Sequence, residues 1–290
     1  MVLAYVAAQI AALRSAEREL HGGQTLDVDA VHEMRVATRR LRSSLATFRP
    51  MLDRTTTDPL RTDLRAAGRT LGGVRDVQVL RRRLVHTLDA LPAGAVRGDP
   101  KERLLDALSR REEAARADLL VMLADDAYPA LLNRLDALVA APAQGRHAEK
   151  SARAVLPSRV NREWARVVAR RSEAQRMAPA DAAAALHDTR KAARRLRYAA
   201  EAVAPVVGSD ARRFVRRATR VQEVLGDHQD TVVARALLLE LADAALAAGA
   251  DAFTYGALHE VETARADDAL AAYDAAWSAL DRRRIRAWLR

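Results

Sequence analysis

Two segments of the 290-residue chain repeat one another. The eleven residues that start at His32, HEMRVATRRLR, align with the eleven that start at His187, HDTRKAARRLR, with seven identities at an offset of 155. A second pair of segments, LGGVRD at 71–76 and LGDHQD at 225–230, aligns at an offset of 154. Because two separate matches share nearly the same offset, the chain is predicted to be a tandem duplication, and its fold has to accommodate two similar halves.

The composition of both halves favours helices. Ala, Leu, Arg and Glu fill the segments between the nine prolines, β-branched residues are sparse, and no segment shows the polar/apolar alternation of a half-buried strand. The sequence therefore predicts an all-α fold, with the first repeat at 1–141, a linker at 142–157 and the second repeat at 158–290. The predicted helices lie near 2–20, 28–49, 58–71, 74–90, 100–124, 128–140, 158–176, 181–204, 209–225, 229–248 and 251–281.

Several helix boundaries are predicted from short motifs. The Asp-Pro pairs at 58–59 and 99–100 combine a good N-cap with a proline at the first helical position. The Leu-Gly pairs at 71–72 and 225–226 are interpreted as helix ends, because glycine is the usual left-handed residue there. Two aspartates follow these glycines, and they are expected to cap the next helix or, as the less favoured alternative, to support arginines from behind: Asp76 and Asp230.

The repeated segment carries a basic stripe on one helix face. At 100° per residue, the arginines three, seven and ten positions after the histidine fall within an arc about 80° wide and about 15 Å long. The opposite face of each copy is apolar, as a core-facing side requires. Arg40 and Arg195 widen the stripe, and Lys191 stands where the first copy has Val36. The stripe consists of His32, Arg35, Arg39 and Arg42 in the first copy and of His187, Arg190, Arg194 and Arg197 in the second.

The charge of the chain is segregated. Lys and Arg exceed Asp and Glu by 10 overall, yet residues 187–220 carry a net charge of +7 and residues 221–281 a net charge of −10. Like charges three and four positions apart on a helix repel, so a concentrated stripe favours a polyanionic ligand. The alternative is an ordinary solvated arginine face, in which pairs such as Arg197 with Glu201 neutralise part of the stripe.

Composition narrows the class of ligand. Only 11 residues are aromatic, whereas proteins that read single-stranded nucleic acid stack bases on such rings. A phosphate-rich ligand without bases is therefore favoured, and a helical nucleic-acid-binding protein is the alternative.

The absence of cysteine excludes disulfides and thiolate metal sites. Residues 1–20 are typical of an amphipathic helix, not a signal peptide, and no apolar run is long enough for a membrane span, so we expect a soluble cytoplasmic protein without a membrane partner.

A metal-dependent enzyme that processes polyphosphate or triphosphate is a further alternative. His228 lies between Asp227 and Asp230, and His187 precedes Asp188, both combinations that can ligate a divalent metal. Supporting ligands at suitable spacing are missing, and the sequence has no P-loop. The sequence therefore predicts no metal site, no cofactor and no catalysis.

These motifs resemble those of the CHAD domain, the conserved histidine α-helical domain family. The two His-x-x-Arg-x-x-x-Arg-Arg-Leu-Arg segments and the Leu-Gly pairs carry the resemblance, which spans essentially the whole chain. It implies two tandem pseudo-symmetric helical bundles around a basic cavity or groove, and non-catalytic binding of inorganic polyphosphate. Many family members are fused to a CYTH-type triphosphate-processing domain, which has no counterpart here, so we expect a stand-alone binding or targeting module, with association with polyphosphate granules left open.

The resemblance assigns the ligand-binding residues by position. The second copy has the family-like Tyr198 where the first has Ser43, and it is expected to bind more strongly. The predicted polyphosphate-binding residues are His32, Arg35, Arg39, Arg40, Arg42, His187, Arg190, Lys191, Arg194, Arg195, Arg197 and Tyr198. Less weight goes to basic residues that do not superpose between the copies, namely Arg61, Arg65, Arg69, Arg212, Arg213, Arg216, Arg217 and Arg220. The sequence leaves open the oligomeric state and whether an arginine-rich tail extends the site: Arg282, Arg283, Arg284, Arg286 and Arg290.

Overall fold

The computed structural model describes residues 1–22, 27–141 and 151–289, and these residues form helices and no strand. The all-α prediction is confirmed. The N-terminal helices are α1 (Val2–Gly22), α2 (Val28–Thr47), α3 (Arg54–Asp89), α4 (Pro100–Ala124) and α5 (Ala127–Ala140). The C-terminal helices are α6 (Ala152–Ala174), α7 (Pro179–Val207), α8 (Ser209–Ala247), α9 (Phe253–Leu280) and α10 (Arg283–Arg286). Short 3₁₀ segments lie at Arg49–Met51, Ala93–Ala95 and Ala287–Leu289.

The two longest helices run straight through their Leu-Gly pairs. Gly72 lies inside the 36 residues of α3 and Gly226 inside the 39 residues of α8, so the predicted helix ends near these glycines are wrong. A glycine inside a helix costs only about 0.5–1 kcal/mol relative to alanine, which the buried leucines on either side outweigh. As a consequence, Asp76 and Asp230 lie in mid-helix, where neither can cap a helix, and the favoured capping role is also wrong.

Other predicted boundaries are partly confirmed. Pro100 opens α4 after Asp99, as the Asp-Pro motif predicts. The equivalent prediction at 58–59 is wrong, because α3 begins at Arg54 and is capped by Asp53, whose side chain accepts a hydrogen bond from a backbone N–H. Residues 142–150 of the predicted linker lie outside the described residues, and the remainder is not a linker, since residues 152–157 already belong to α6.

Buried side chains form three groups. The first lies among α1 to α5, and the second lies among α6 to α10 and includes Phe48 from the end of α2. The third group joins the two halves, since leucines of α3 and α4 pack against leucines of α8 and α9. Its most buried leucines are Leu84, Leu104, Leu108, Leu238 and Leu258. The N- and C-terminal halves therefore share a core and do not form independent bundles.

The helix packing brings the two repeated segments together. α2 packs between α1 and α3, α7 packs between α6 and α8, and α2 and α7 contact one another. The apolar faces of both helices are buried, with Met34, Leu41, Leu196 and Ala200 fully inaccessible to solvent. Because the basic stripes lie opposite these apolar faces, burial of the apolar faces fixes the direction in which the stripes point.

The shared core generates a prediction. Leu84→Ala should lower the free energy of unfolding by roughly 2–5 kcal/mol, the usual cost of a fully buried leucine. All three tryptophans, Trp164, Trp277 and Trp288, lie in the C-terminal half, so their fluorescence reports on that half during urea denaturation. We expect the midpoint of the tryptophan transition to fall, although the substitution is in the N-terminal half.

The matched control is Leu246→Ala. This leucine is 63% exposed on α8, so its truncation should change stability by no more than about 0.5 kcal/mol. A tryptophan transition that Leu84→Ala leaves unmoved would show that the halves unfold independently.

Candidate functional site: an arginine-lined cavity

A cavity of about 1030 Å³ opens between α2, α3, α6, α7 and α8. Thirteen basic side chains line it, and only four carboxylates do, so its formal charge excess is nine. The basic residues are Arg35, Arg39, Arg42, Arg61, Arg65, Arg69, Arg83, Arg166, Arg170, Arg190, Lys191, Arg194 and Arg195. The carboxylates are Asp58, Asp76, Asp188 and Asp230.

Two half-buried arginines from the repeated helices define the electrostatics of the cavity. Burial lowers the pKa of Arg39 to about 10, and the charge of Arg35 contributes to the same shift. Burial lowers the pKa of Arg194 to about 9, and Arg39 and Arg190 lower it further. In the described part of the chain, neither Arg39 nor Arg194 forms a salt bridge. Both remain charged at pH 7, so the cavity holds guanidinium groups that repel one another.

The aspartate of the first Leu-Gly segment supports a cavity arginine. Arg35 Nη1 lies 2.8 Å from Asp76 Oδ1 and donates a hydrogen bond of 3.2 Å to the carbonyl oxygen of Gly72. A Cβ atom added to Gly72 would lie 3.7 Å from the Arg35 guanidinium. Asp76 therefore holds an arginine, as the less favoured interpretation of the sequence expects, but it does so from the cavity lining and not from behind it.

The second Leu-Gly segment has a related arrangement. The Arg190 guanidinium lies over α8, where a Cβ atom added to Gly226 would come within 3.4 Å of it. Burial raises the pKa of Asp230, and the nearby charges of Arg190 and Arg83 oppose that rise. Each Leu-Gly segment is thus the place where an arginine of the neighbouring helix lies close to the backbone.

Two buried glutamates hold cavity arginines from outside the lining. Glu163 on α6 lies 2.6 Å from Arg195 Nη2. Glu262 on α9 is fully buried and lies 2.6 Å from Arg83 Nε and from Arg265 Nη1. Both carboxylates are behind the arginines that they bind, so they orient guanidinium groups without occupying the cavity.

The two predicted histidines are placed differently. His187 lines the cavity and His32 does not. Burial lowers the pKa of both imidazoles. The positive charge of Arg75 lowers the pKa of His32 further, and that of Lys191 lowers the pKa of His187 further. Both rings are therefore neutral at pH 7 in the free protein, and an anion bound beside His187 would raise the pKa of that ring.

The structure brings nine of the twelve predicted residues to the cavity and places three elsewhere. His32 is one of the three. Arg197 donates hydrogen bonds to Glu201 at 2.8 Å and to Gln222 at 2.9 Å, and Arg40 lies 3.5 Å from the same glutamate. The internal ion pair considered for Arg197 is therefore present. The nine lining residues are Arg35, Arg39, Arg42, His187, Arg190, Lys191, Arg194, Arg195 and Tyr198.

A row of arginines on α3, to which the sequence gave less weight, also lines the cavity. Arg61, Arg65 and Arg69 line the cavity beside Arg42, whose pKa is lowered by burial and then by these three charges. Their spacing of four residues was the available signal, but the second copy has no equivalent row. Because of this row, α2 and α3 contribute seven basic residues and α6 and α7 contribute six, so the lining alone does not favour the second copy.

The described ranges show neither a cluster of metal ligands nor a membrane-spanning helix. No group of three or more His, Cys, Asp or Glu side chains there is placed to hold a metal ion. No helix in those ranges combines the length and the apolar character that crossing a membrane requires.

Fold and site together define an all-helical protein with an arginine-lined cavity between two repeated helices. The chain belongs to the CHAD domain family, since the family model "CHAD domain" matches residues 4–239. A CHAD domain from the plant Ricinus communis is similar in structure, with a TM-score of 0.71 and 27% sequence identity over 96% of this chain and 89% of that chain. PptA from Streptomyces chartreusis shares the fold, with a TM-score of 0.80 and 22% identity over 96% of this chain and 98% of that chain.

Two curated relatives come from Mycobacterium tuberculosis. They are the uncharacterized proteins MT2285 and Rv2226, each 37% identical over 254 residues. The match covers 88% of this chain and 48% of each relative, so the chain spans about half the length of the curated relatives it matches.

The repulsion inside the cavity generates a stability prediction. Arg39→Gln with Arg194→Gln should raise the free energy of unfolding of the ligand-free protein by on the order of 1 kcal/mol or more, because the double variant removes two half-buried like charges. The corresponding rise in Tm is roughly 2–4 °C per kcal/mol for a chain of this size class. Thermal denaturation at pH 7 in low-phosphate buffer measures it.

The control for the stability prediction is Arg103→Gln with Arg110→Gln on α4. It also removes two positive charges, but both side chains are exposed and neither lines the cavity. A cavity variant that is less stable than this control would show that Arg39 and Arg194 stabilise the fold.

Proposed function

We propose that this protein binds inorganic polyphosphate in the arginine-lined cavity and acts as a non-catalytic binding or targeting module. The observation that carries the proposal is the pair Arg39 and Arg194, which are half-buried, charged, close enough for Arg39 to lower the pKa of Arg194, and without a salt bridge in the described part of the chain. An anion with closely spaced charges relieves their repulsion. Membership of the CHAD family supports the same ligand through the resemblance of the motifs.

Phosphate suits the lining for a geometric reason. Arginine presents a planar fork that grips two phosphate oxygens, and a linear phosphate chain is recognised by a row of such forks without any contact to bases. The cavity volume corresponds to a sphere about 12 Å across. A duplex nucleic acid, whose major groove alone is about 12 Å wide, is too large for a cavity of this size.

The carboxylates of the lining favour binding over metal-assisted chemistry. Three of the four aspartates already pair with cavity cations: Asp58 lies 2.9 Å from Arg61, Asp76 lies 2.8 Å from Arg35, and Asp188 lies 3.0 Å from Lys191. An aspartate engaged by a cation is a poor ligand for Mg²⁺. We therefore propose no catalysis, and phosphate release from polyphosphate in the presence of Mg²⁺ would contradict that part. In this proposal the protein acts in the cytoplasm, where it can associate with polyphosphate granules.

Removal of Arg39 and Arg194 should abolish tight binding. Arg39→Gln with Arg194→Gln is expected to weaken polyphosphate binding by well over tenfold, since each lost charge-assisted contact is worth roughly 1.5–3 kcal/mol. Calorimetric titration with polyphosphates of increasing length measures the effect, and circular dichroism checks that helicity is retained. Arg103→Gln with Arg110→Gln, with the same change in net charge, should bind like the unmodified protein.

Competition identifies the ligand class. At fixed ionic strength, duplex or single-stranded DNA should displace polyphosphate from the cavity poorly. Equal affinity of the cavity for DNA and polyphosphate, or unchanged binding in the Arg39 and Arg194 variant, would refute the proposal.

The lowered pKa values predict a dependence on pH. An anion restores the pKa of Arg39 and Arg194 towards the ordinary value, so binding takes up protons once the pH passes the free-state values of about 10 and about 9. Polyphosphate affinity should therefore be constant from about pH 7 to 8 and fall as the pH rises through 9 and 10. Titrations at constant ionic strength test this, and an affinity that is flat to pH 10.5 would contradict it.

A further inference from the structure

A second concentration of arginines lies on the outside of the molecule. In the N-terminal half of α8, Ala211, Phe214, Ala218 and Val221 are buried in the core. The residues on the opposite side of the same turns are exposed arginines, which at 100° per residue cluster around the direction that points away from the core. They are Arg212, Arg213, Arg216 and Arg217.

These four arginines have no partner among the described residues. Their neighbour Arg220 pairs with Glu223 at 3.7 Å, but no carboxylate lies within salt-bridge distance of the four. The pairs 212/216 and 213/217 are like charges at i,i+4 spacing, which destabilise an isolated helix by a few tenths of a kcal/mol each. Repulsion among these four unneutralised charges, on about two turns of helix, therefore slightly destabilises α8.

The C-terminal segment brings three more arginines to this end of the bundle. α10 contacts α8, and Ile285 and Leu289 are buried in the core that contains Phe214. The ring of Trp288 meets the ring of Phe214 edge to face at 5.6 Å. Three exposed arginines come directly before these buried residues. None of the three has a salt-bridge partner in the described part of the chain. They are Arg282, Arg283 and Arg284.

These seven arginines, here called the outer face, are separate from the cavity. None of them lines it. The residues of α8 that do line it, Gln229, Asp230 and Val233, begin about three turns further along the helix than Arg217. The outer face is made of exposed residues on two segments, α8 and the chain at 282–284, so the size limit of the cavity does not apply to it.

We propose that the outer face binds the phosphate backbone of duplex nucleic acid. The two rings at this end, Phe214 and Trp288, are packed against one another and not displayed for base stacking, which favours a backbone ligand over single strands. No large apolar side chain is exposed between residues 209 and 220 or between 281 and 289, so the face has nothing to insert into a lipid bilayer. A duplex carries one charge per about 1.7 Å, which matches seven guanidinium groups concentrated at one end of the bundle.

The number of arginines sets a quantitative expectation. Each neutralised phosphate contributes about −0.9 to the slope of log K against log salt concentration, so seven contacts give a slope near −6. The test is fluorescence anisotropy with a labelled duplex of mixed sequence across a KCl series. Arg213→Gln/Arg216→Gln/Arg217→Gln should make the slope less steep by about 3 and weaken binding at about 0.1 M salt by at least tenfold. The tail variant Arg282→Gln/Arg283→Gln/Arg284→Gln should act in the same way.

Two control variants separate the outer face from general charge and from the cavity. Arg103→Gln/Arg110→Gln/Arg116→Gln on α4 removes an equal number of positive charges, three, from exposed positions in the other half of the chain. Its slope of log K against log salt concentration should equal that of the unmodified protein. Arg39→Gln with Arg194→Gln should also keep duplex binding, whatever it does to polyphosphate binding. Duplex binding by the outer face can therefore be tested independently of polyphosphate binding in the cavity.

Several results would overturn the proposal. One is a slope shallower than about −2 for the unmodified protein, which corresponds to two or fewer phosphate contacts. Another is an equal loss of duplex affinity in the outer-face and α4 variants, which would show that duplex binding depends on the net charge of the protein and not on the position of the arginines. Loss of duplex binding in the cavity variant would place the duplex at the cavity mouth. Binding of phosphatidylserine vesicles, in place of duplex, through the same arginines would make the partner a membrane.

Discussion

Repulsion among half-buried guanidinium groups is the constraint around which this molecule is arranged. Arg39 and Arg194 project from helices that contact one another, and each has a pKa well below the ordinary value because burial and like charges disfavour its charged form. Apolar contacts offset the repulsion: the opposite faces of α2 and α7 bury side chains such as Leu41 and Leu196 completely. The fold therefore holds the charges together before any ligand arrives, so that an anion gains their full attraction without first ordering the site.

The carboxylates are arranged to permit this concentration. Glu163 and Glu262 are buried and bind cavity arginines from behind, while Glu201 engages Arg40 and Arg197 outside the lining. A carboxylate in the middle of the cavity would neutralise the site and compete with an anionic ligand. A carboxylate behind it fixes the orientation of a guanidinium group and leaves the remaining N–H groups of that fork free to bind phosphate.

The sequence predicted the fold class and nine of the residues that line the cavity, for reasons that particular residues make clear. Helical spacing alone places Arg35, Arg39 and Arg42 on one face. The long helices were divided wrongly because a Leu-Gly pair is a common helix end, whereas Gly72 here lies where the Arg35 guanidinium approaches the backbone, a contact 37 positions away in sequence. The row at Arg61 was undervalued for a related reason: it has no copy in the second half, and only the packing of α3 against α2 brings it to the cavity.

Net charge is a poor guide to where a protein like this meets its ligands. The formal charge of the whole chain is +10, and the cavity alone has an excess of nine. The seven arginines of the outer face are therefore balanced in the total by carboxylates elsewhere, in the stretch 221–281 with its net charge of −10, and not by neighbours within pairing distance. The cavity and the outer face are both rich in arginine, yet they differ in the size of ligand that could bind there. The volume of the cavity limits the width of any ligand that it could hold, whereas the exposed arginines of the outer face impose no such limit.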